Sequence, residues 1–156
     1  MLSDTEFSKI ITDTSKRIEG DIVWNQDTDN SPAIEFRVEI LSDEAYPLFM
    51  KGRYNAVAQK LSFSLIYKGI GRIYSLDIGR EHVNPTGEQV GEKHKHRWQA
   101  QYRDKWAYKP ADITALVNEP VQIWKQFCLE AQITHNGTMI IPSLQSLLSN
   151  YVNTSL

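Results

Sequence analysis

An α+β domain is what the order of patterns along this chain predicts. An amphipathic helical stretch opens it, a long run of alternating apolar and polar residues follows, and a second helical stripe closes the run. The 156 residues fit one domain, residues 1–156. The expected architecture is a curved antiparallel sheet of five or six strands, packed by an N-terminal and a C-terminal helix. Composition agrees with a packed globule: hydrophobic residues make up 41% and charged residues 23%, which excludes a disordered or fibrous chain.

The first helix is expected over about residues 4–19. Phe7, Ile10, Ile11, Thr14 and Ile18 recur at helical spacing, Ser3 with Glu6 forms a capping box, and Gly20 supplies the stop. The polar stretch Asn25–Ser31 reads as a loop. Its Asp27-x-Asp29-x-Ser31 imitates a calcium loop but places Pro32 where glycine is required and Val38 where glutamate is required. A solvated turn remains.

Ile34, Phe36, Val38 and Ile40 alternate with charged residues and define a half-buried strand. Tyr46–Met50 is a weaker strand. Leu61, Phe63, Leu65 and Tyr67 lead through Lys68-Gly69 into Ile70, Arg72, Tyr74, Leu76 and Ile78, so residues 61–79 read as a hairpin of strict period two. A second hairpin takes residues 93–102 and 105–109, turning at about Arg103-Asp104. Between the hairpins, residues 79–92 form the longest loop of the strand region. Pro120 suits a first helical position, and Val121, Trp124, Phe127, Cys128 and Ala131 make the stripe of the second helix. Cys128 on that stripe is a buried, inert thiol. Leu144–Val152 is expected to form a short terminal helix.

Charge is uneven along the chain. Residues 1–50 carry a net charge of −7, residues 51–110 carry +7 and residues 111–156 carry −2. Either the acidic part neutralises the basic part internally, or the basic part offers a cationic surface to an anionic partner, a nucleic acid or an acidic protein. The pI of about 6.1 favours internal neutralisation. No stretch is apolar enough for a membrane helix, and the start has no secretory pattern, so the expected location is cytoplasmic and the partner is not a membrane. One cysteine forms no internal disulfide.

The chemistry concentrates in residues 77–106. His82 precedes the turn Asn84-Pro85-Thr86-Gly87, and His94 and His96 flank Lys95. On a strand, 94 and 96 share one face, with Trp98 and Tyr102 continuing it, while Lys93, Lys95 and Arg97 take the other. Three readings stay open. His82, His94 and His96 can hold a divalent metal, zinc or iron, with an open position. They can serve as acid and base in a hydrolase such as a phosphodiesterase or nuclease, with Arg80 or Lys93 stabilising phosphate charge. They can also be hydrogen-bonded core residues. Asp77 is placed to orient a histidine or to pair with an arginine. Trp98, Tyr102 and Trp106 interleave with Lys93, Lys95, Arg97 and Arg103, the candidate anion contacts of a binding or accessory module over 79–110, which is the function the sequence favours, with the hydrolase as the alternative. The H-x-H pair fails the first cupin motif, because Gly87 is one residue too distant and Ala100 and Gln101 stand where glutamate belongs.

Asp77-x-x-x-x-His82-x-Asn84-Pro85-x-Gly87, then Gly91-x-x-His94-x-His96, then Tyr102-x-x-Lys105-Trp106-Ala107 resembles the core of a family of small uncharacterised bacterial and phage-associated proteins. The resemblance spans roughly residues 72–110. It implies a mobile-element or defence context, singles out His82, Asn84, His94 and His96, and brings no reaction with it. Thr86 stands where that family is expected to carry aspartate.

Overall fold

The computed structural model describes residues 1–142. The terminal helix expected at Leu144–Val152 lies outside them. Helix α1 spans Asp4–Thr12, and the Ser3 hydroxyl accepts the Glu6 amide as its cap. The helix is shorter than the expected 4–19. Asp13 turns the chain by accepting the Ser15 amide at 2.7 Å, and the Lys16 ammonium donates to the carbonyls of Ile10 and Ile11 at the helix end. The turn chemistry of Asp13-Thr14-Ser15 thus beats the helical period that Ile18 continues. Residues Arg17–Glu19 form strand β1 instead, and Ile22–Val23 form β2.

The main sheet has seven strands, one more than the upper expectation. They are β3 (Asn25–Gln26), β4 (Ile34–Ile40), β5 (Leu48–Asn55), β6 (Lys60–Tyr67), β7 (Gly71–Ile78), β8 (Lys93–Arg97) and β9 (Ala107–Tyr108). They pair in sequence order and antiparallel throughout, so every connection is local. The extra strand, β3, arises where a loop was expected, because Asn25 and Gln26 pair with Glu35 and Ile34. Helix α2 runs Pro120–Ala131, after which β10 (Thr134–Asn136) pairs parallel with β1 and β11 (Met139–Ile140) pairs parallel with β2. Among the described residues no helix is long and apolar enough to cross a membrane.

Register decides what each face carries. Phe36, Gly52, Phe63, Leu76 and Lys95 lie opposite one another across five strands, so they share a face. That is the core face. The Phe63 ring lies 5.0 Å from Trp124 and 5.7 Å from Phe127 of α2, centroid to centroid. Position 52 must be glycine, since the Phe36 ring occupies the place a side chain would take. Lys95 therefore enters the core side of the sheet with no exposure. Its ammonium donates to Asp112 at 2.6 Å and to Glu130 at 2.9 Å. It cannot touch an anionic partner, and the expectation that it would is corrected here. Its neighbours follow: Lys93 donates to the Ile113 carbonyl, and Arg97 lies over the Phe7 ring.

The period of two breaks once, in β7. Tyr74 pairs with Leu65 but Arg72 pairs with Ile66, so Ile73 is an inserted residue. This bulge moves Arg72 from the face of Tyr74 and Leu76 to the opposite one. Strict alternation had grouped Arg72 with them.

Replacing Lys95 by alanine is expected to cost about 3 kcal/mol, the low end for breaking a buried ion pair, because Asp112 and Glu130 keep part of their hydration. Urea unfolding measures it, and a loss below about 0.5 kcal/mol, the level of a surface substitution, would contradict the placement.

Candidate functional site

The outer face of the sheet repeats the same register logic with polar residues. Arg53, Ser62, Asp77 and His94 form one row, and Lys51, Ser64, Ser75 and His96 form the next. On its own, such a face would be wet. His94 and His96 are nevertheless only 1% and 4% exposed. The chain from 79 to 92 folds back over β8 and brings His82 onto them. The His82 ring centre stands 5.1 Å from that of His94 and 4.6 Å from that of His96, which are 4.9 Å from each other.

Asn84 fixes this return. Buried at 3% exposure, its amide donates to the Ala107 carbonyl at 2.9 Å and its oxygen accepts the Ala107 amide at 2.8 Å. The side chain thereby pairs with β9 as a strand residue would. Its oxygen also takes the Nε2–H of His82 at 3.1 Å, and the Lys105 carbonyl takes the same N–H at 2.9 Å. The Gly87 amide closes the turn on the Asn84 carbonyl, and the Val90 amide returns to the His82 carbonyl.

These partners assign the tautomers. His82 Nε2 faces two acceptors and must carry the proton, leaving the Nδ1 lone pair free. His94 Nδ1 faces the Gly91 carbonyl at 3.0 Å and must carry the proton, leaving the lone pair on Nε2. His96 Nε2 lies 3.3 Å from Asp77 Oδ2, and its Nδ1 is buried with no partner among the described residues. Each ring thus commits one nitrogen to an oxygen and keeps the other. One nitrogen from each ring lies within 4.8 Å of the others. Two nitrogens bound tetrahedrally to one zinc ion are about 3.4 Å apart, so the rings would close by up to about 1.4 Å around it.

Asp77 is the electrostatic centre. Its Oδ2 stands 3.4 Å from His94 Nε2, 3.3 Å from His96 Nε2 and 3.6 Å from an Arg72 nitrogen. Burial alone would raise its carboxyl, but its contacts with His94 and His96 and the Arg72 charge outweigh that and hold it well below the usual carboxylate range. A problem remains at His94. A neutral ring that donates through Nδ1 presents a lone pair to an ionised carboxylate. Two acceptors 3.4 Å apart need a cation between or beside them, a proton or a metal ion.

The other candidates are dispersed. Trp98 leaves the histidine face. Its indole N–H donates to the Leu2 carbonyl in the core. Trp106 stacks on Tyr108, whose hydroxyl donates to Glu130. Tyr102 and Arg103 sit in the turn after β8, Arg103 exposed with φ at 57°. Arg80 lies on the outer face beside Asp77, lining the same groove. Cys128 is buried, and burial pushes its thiol up to about 12. Sequence reasoning missed Arg72 as a member of the site. The adjacent apolar pair Ile73-Tyr74 inside an alternating strand was the available signal of the bulge.

The site is a buried cluster of three imidazoles and a carboxylate on the open face of an antiparallel sheet. The chain belongs to the Family of unknown function (DUF6978), whose family model matches residues 2–133 and so includes every residue of the cluster. No match to it is found among the curated proteins or the solved structures.

Burial, followed by the charges of His96 and His94, pulls His82 below the ordinary histidine value, against the bonds to Lys105 and Asn84. The unfolded chain then binds the proton first. Stability conferred by neutral His82 is present above about pH 6.5 and is lost as pH falls toward the folded value. Urea unfolding of chelator-treated protein across this range is expected to show that slope, and His82→Gln is expected to flatten it. Equal slopes would count against the burial of this ring.

Proposed function

We propose that the protein is a metal-dependent hydrolase whose divalent ion, zinc or iron, is held by His82, His94 and His96. The observation that carries this reading is the proximity of three anchored rings. The imidazoles are each held through one nitrogen, to the Asn84 and Lys105 oxygens, to the Gly91 carbonyl and to Asp77, and one nitrogen of each lies within 4.8 Å of one nitrogen of the others. Histidines that ligate metals are anchored in this way, because the second bond fixes the tautomer and the ring plane. The donor set is nitrogen with a neighbouring carboxylate and no thiolate, which suits zinc or iron. Three protein ligands leave a position for water, and such an ion lowers the pKa of bound water to about 7. Asp77 lies against two of the rings and lines the groove on the outer face, so it would orient the ligating rings and a water held beside them. The accessory-module alternative is the weaker of the two. Of its four anion contacts, Lys95 is sealed in the core, Arg97 lies half-buried over the Phe7 ring and Lys93 is tied to the Ile113 carbonyl, so they do not form one cationic surface with Arg103.

Elemental analysis of the purified protein is expected to find about one zinc or iron ion per chain. His96→Ala is expected to lose the ion while keeping the native circular dichroism spectrum. Asp77→Asn is expected to weaken metal binding by about 10- to 100-fold. Hydrolysis of bis(p-nitrophenyl) phosphate is expected for the wild type and to vanish in His94→Ala and His96→Ala. A natively folded protein that neither contains nor takes up zinc or iron would end the proposal.

A further inference from the structure

We infer that the outer face of the sheet carries a second feature, a groove that binds the phosphate groups of an anionic ester and delivers them to the histidine cluster. The groove has a volume of 580 Å³, within the range of small-molecule sites. Arg53, Lys60, Arg72 and Arg80 line it with the hydroxyls of Ser62 and Ser64, and Asp77 is the one carboxylate in its wall. Arg53 and Arg72 are already paired with carboxylates, and Lys60 and Arg80 add two cations without an ion pair among the described residues, which suits a ligand bearing phosphate.

The arginines are held in place rather than free. Arg53 is fixed by Asp27 at 2.8 Å, and Arg72 by Asp104 at 3.2 Å and Asp77 at 3.6 Å. Arg72 nevertheless keeps its Nε–H buried without an acceptor. The Arg72 side chain as a whole is 29% exposed, so its guanidinium is partly open to a bound anion. Lys60 and Arg80 make no ion pair among the described residues. Their shared position is built by Gly79. With φ at 89° it passes so close to the β5–β6 turn that a Cβ would meet the Gln59 carbonyl at 2.6 Å, which sets Arg80 on the same wall as Lys60.

Among the described residues the wall contains no aromatic ring, so bases find nothing there to stack on. Recognition is by phosphate, and the ligand's base is not read. Asp77 joins the groove to the cluster, because its Oδ2 touches Arg72 on one side and His94 and His96 on the other. A phosphate on Arg72 therefore sits beside the centre proposed above. This inference rests on the hydrolase reading for its role, and on the groove alone for binding.

Binding is measured by fluorescence anisotropy with a labelled short oligouridylate, and by its competition with adenosine 5′-monophosphate, at two salt concentrations. The proteins are the wild type, Lys60→Glu with Arg80→Glu, Lys125→Glu and His96→Ala. Lys125 is exposed on α2, across the sheet from the groove, and serves as the control. The groove reversal is expected to lower affinity at least tenfold and to reduce the dependence of log K on log salt by about 1.4, the share of two lost phosphate contacts on a single strand. Lys125→Glu is expected to change neither. Tighter binding of the oligouridylate identifies a strand as the source of the phosphates, and tighter binding of the mononucleotide identifies a free nucleotide. Absence of binding by both, or equal losses in Lys60→Glu/Arg80→Glu and Lys125→Glu, overturns the groove. His96→Ala separates the two proposals: it is expected to bind the probe with its metal lost. Probe binding lost in His96→Ala but retained in the groove variant would place the anion on the metal centre and overturn the groove as its site.

Discussion

The pairing of β7 with β8 is the constraint on which the rest depends. It sets Asp77 opposite His94 and Ser75 opposite His96, and so places a carboxylate and two imidazoles on one face of adjacent strands. The same pairing sets Leu76 opposite Lys95 and sends that lysine into the core side. A slip of one residue would exchange these faces, because side chains alternate strictly along a strand. The slip would bury His94 and His96 among Phe63, Tyr74 and Phe127 and expose the lysine. The Lys95 contacts with Asp112 and Glu130 oppose it, since they form only when position 95 faces inward. A buried cation here acts as a register lock for a site on the opposite surface.

The uneven charge is absorbed largely within the molecule. Arg53 from the basic stretch meets Asp27 and Glu35 from the acidic one, and Lys68 meets Glu39. Lys95 meets acids of the C-terminal third. Internal neutralisation, the reading favoured by the pI, accounts for these. A cationic wall persists on the outer face around Lys60, Arg72 and Arg80.

Two local devices convert an ordinary meander into a site. The bulge at Ile73 carries Arg72 to the outer face, where it reaches Asp77 and Asp104. Asn84 borrows the hydrogen-bonding pattern of a strand to hold a loop residue, His82, over β8. Each substitutes a single specific hydrogen-bond pattern for regular pairing, and each supplies one member of the cluster.

Much was legible in one dimension. Strand Ile34–Ile40, the 61–79 hairpin, the start of α2 at Pro120 and the shared face of positions 94 and 96 all follow from period and capping, which are local properties of the chain. The end of α1 was misplaced because Asp13 and Lys16 terminate it through contacts that periodicity does not register. Which face of β8 is buried, where Arg72 points and whether His82 meets the other two rings were not written in any local pattern. They depend on partners distant in the chain, Glu130 for Lys95, Asp104 for Arg72 and Ala107 for Asn84. The sequence by itself determined the long strands, the second helix and the histidines of the cluster, because spacing along a strand or helix is a matter of nearest neighbours. Only the tertiary structure decided that the three imidazoles come together, two of them against Asp77, because this requires the register of one pair of strands and the return of a loop, and both are settled by long-range hydrogen bonds.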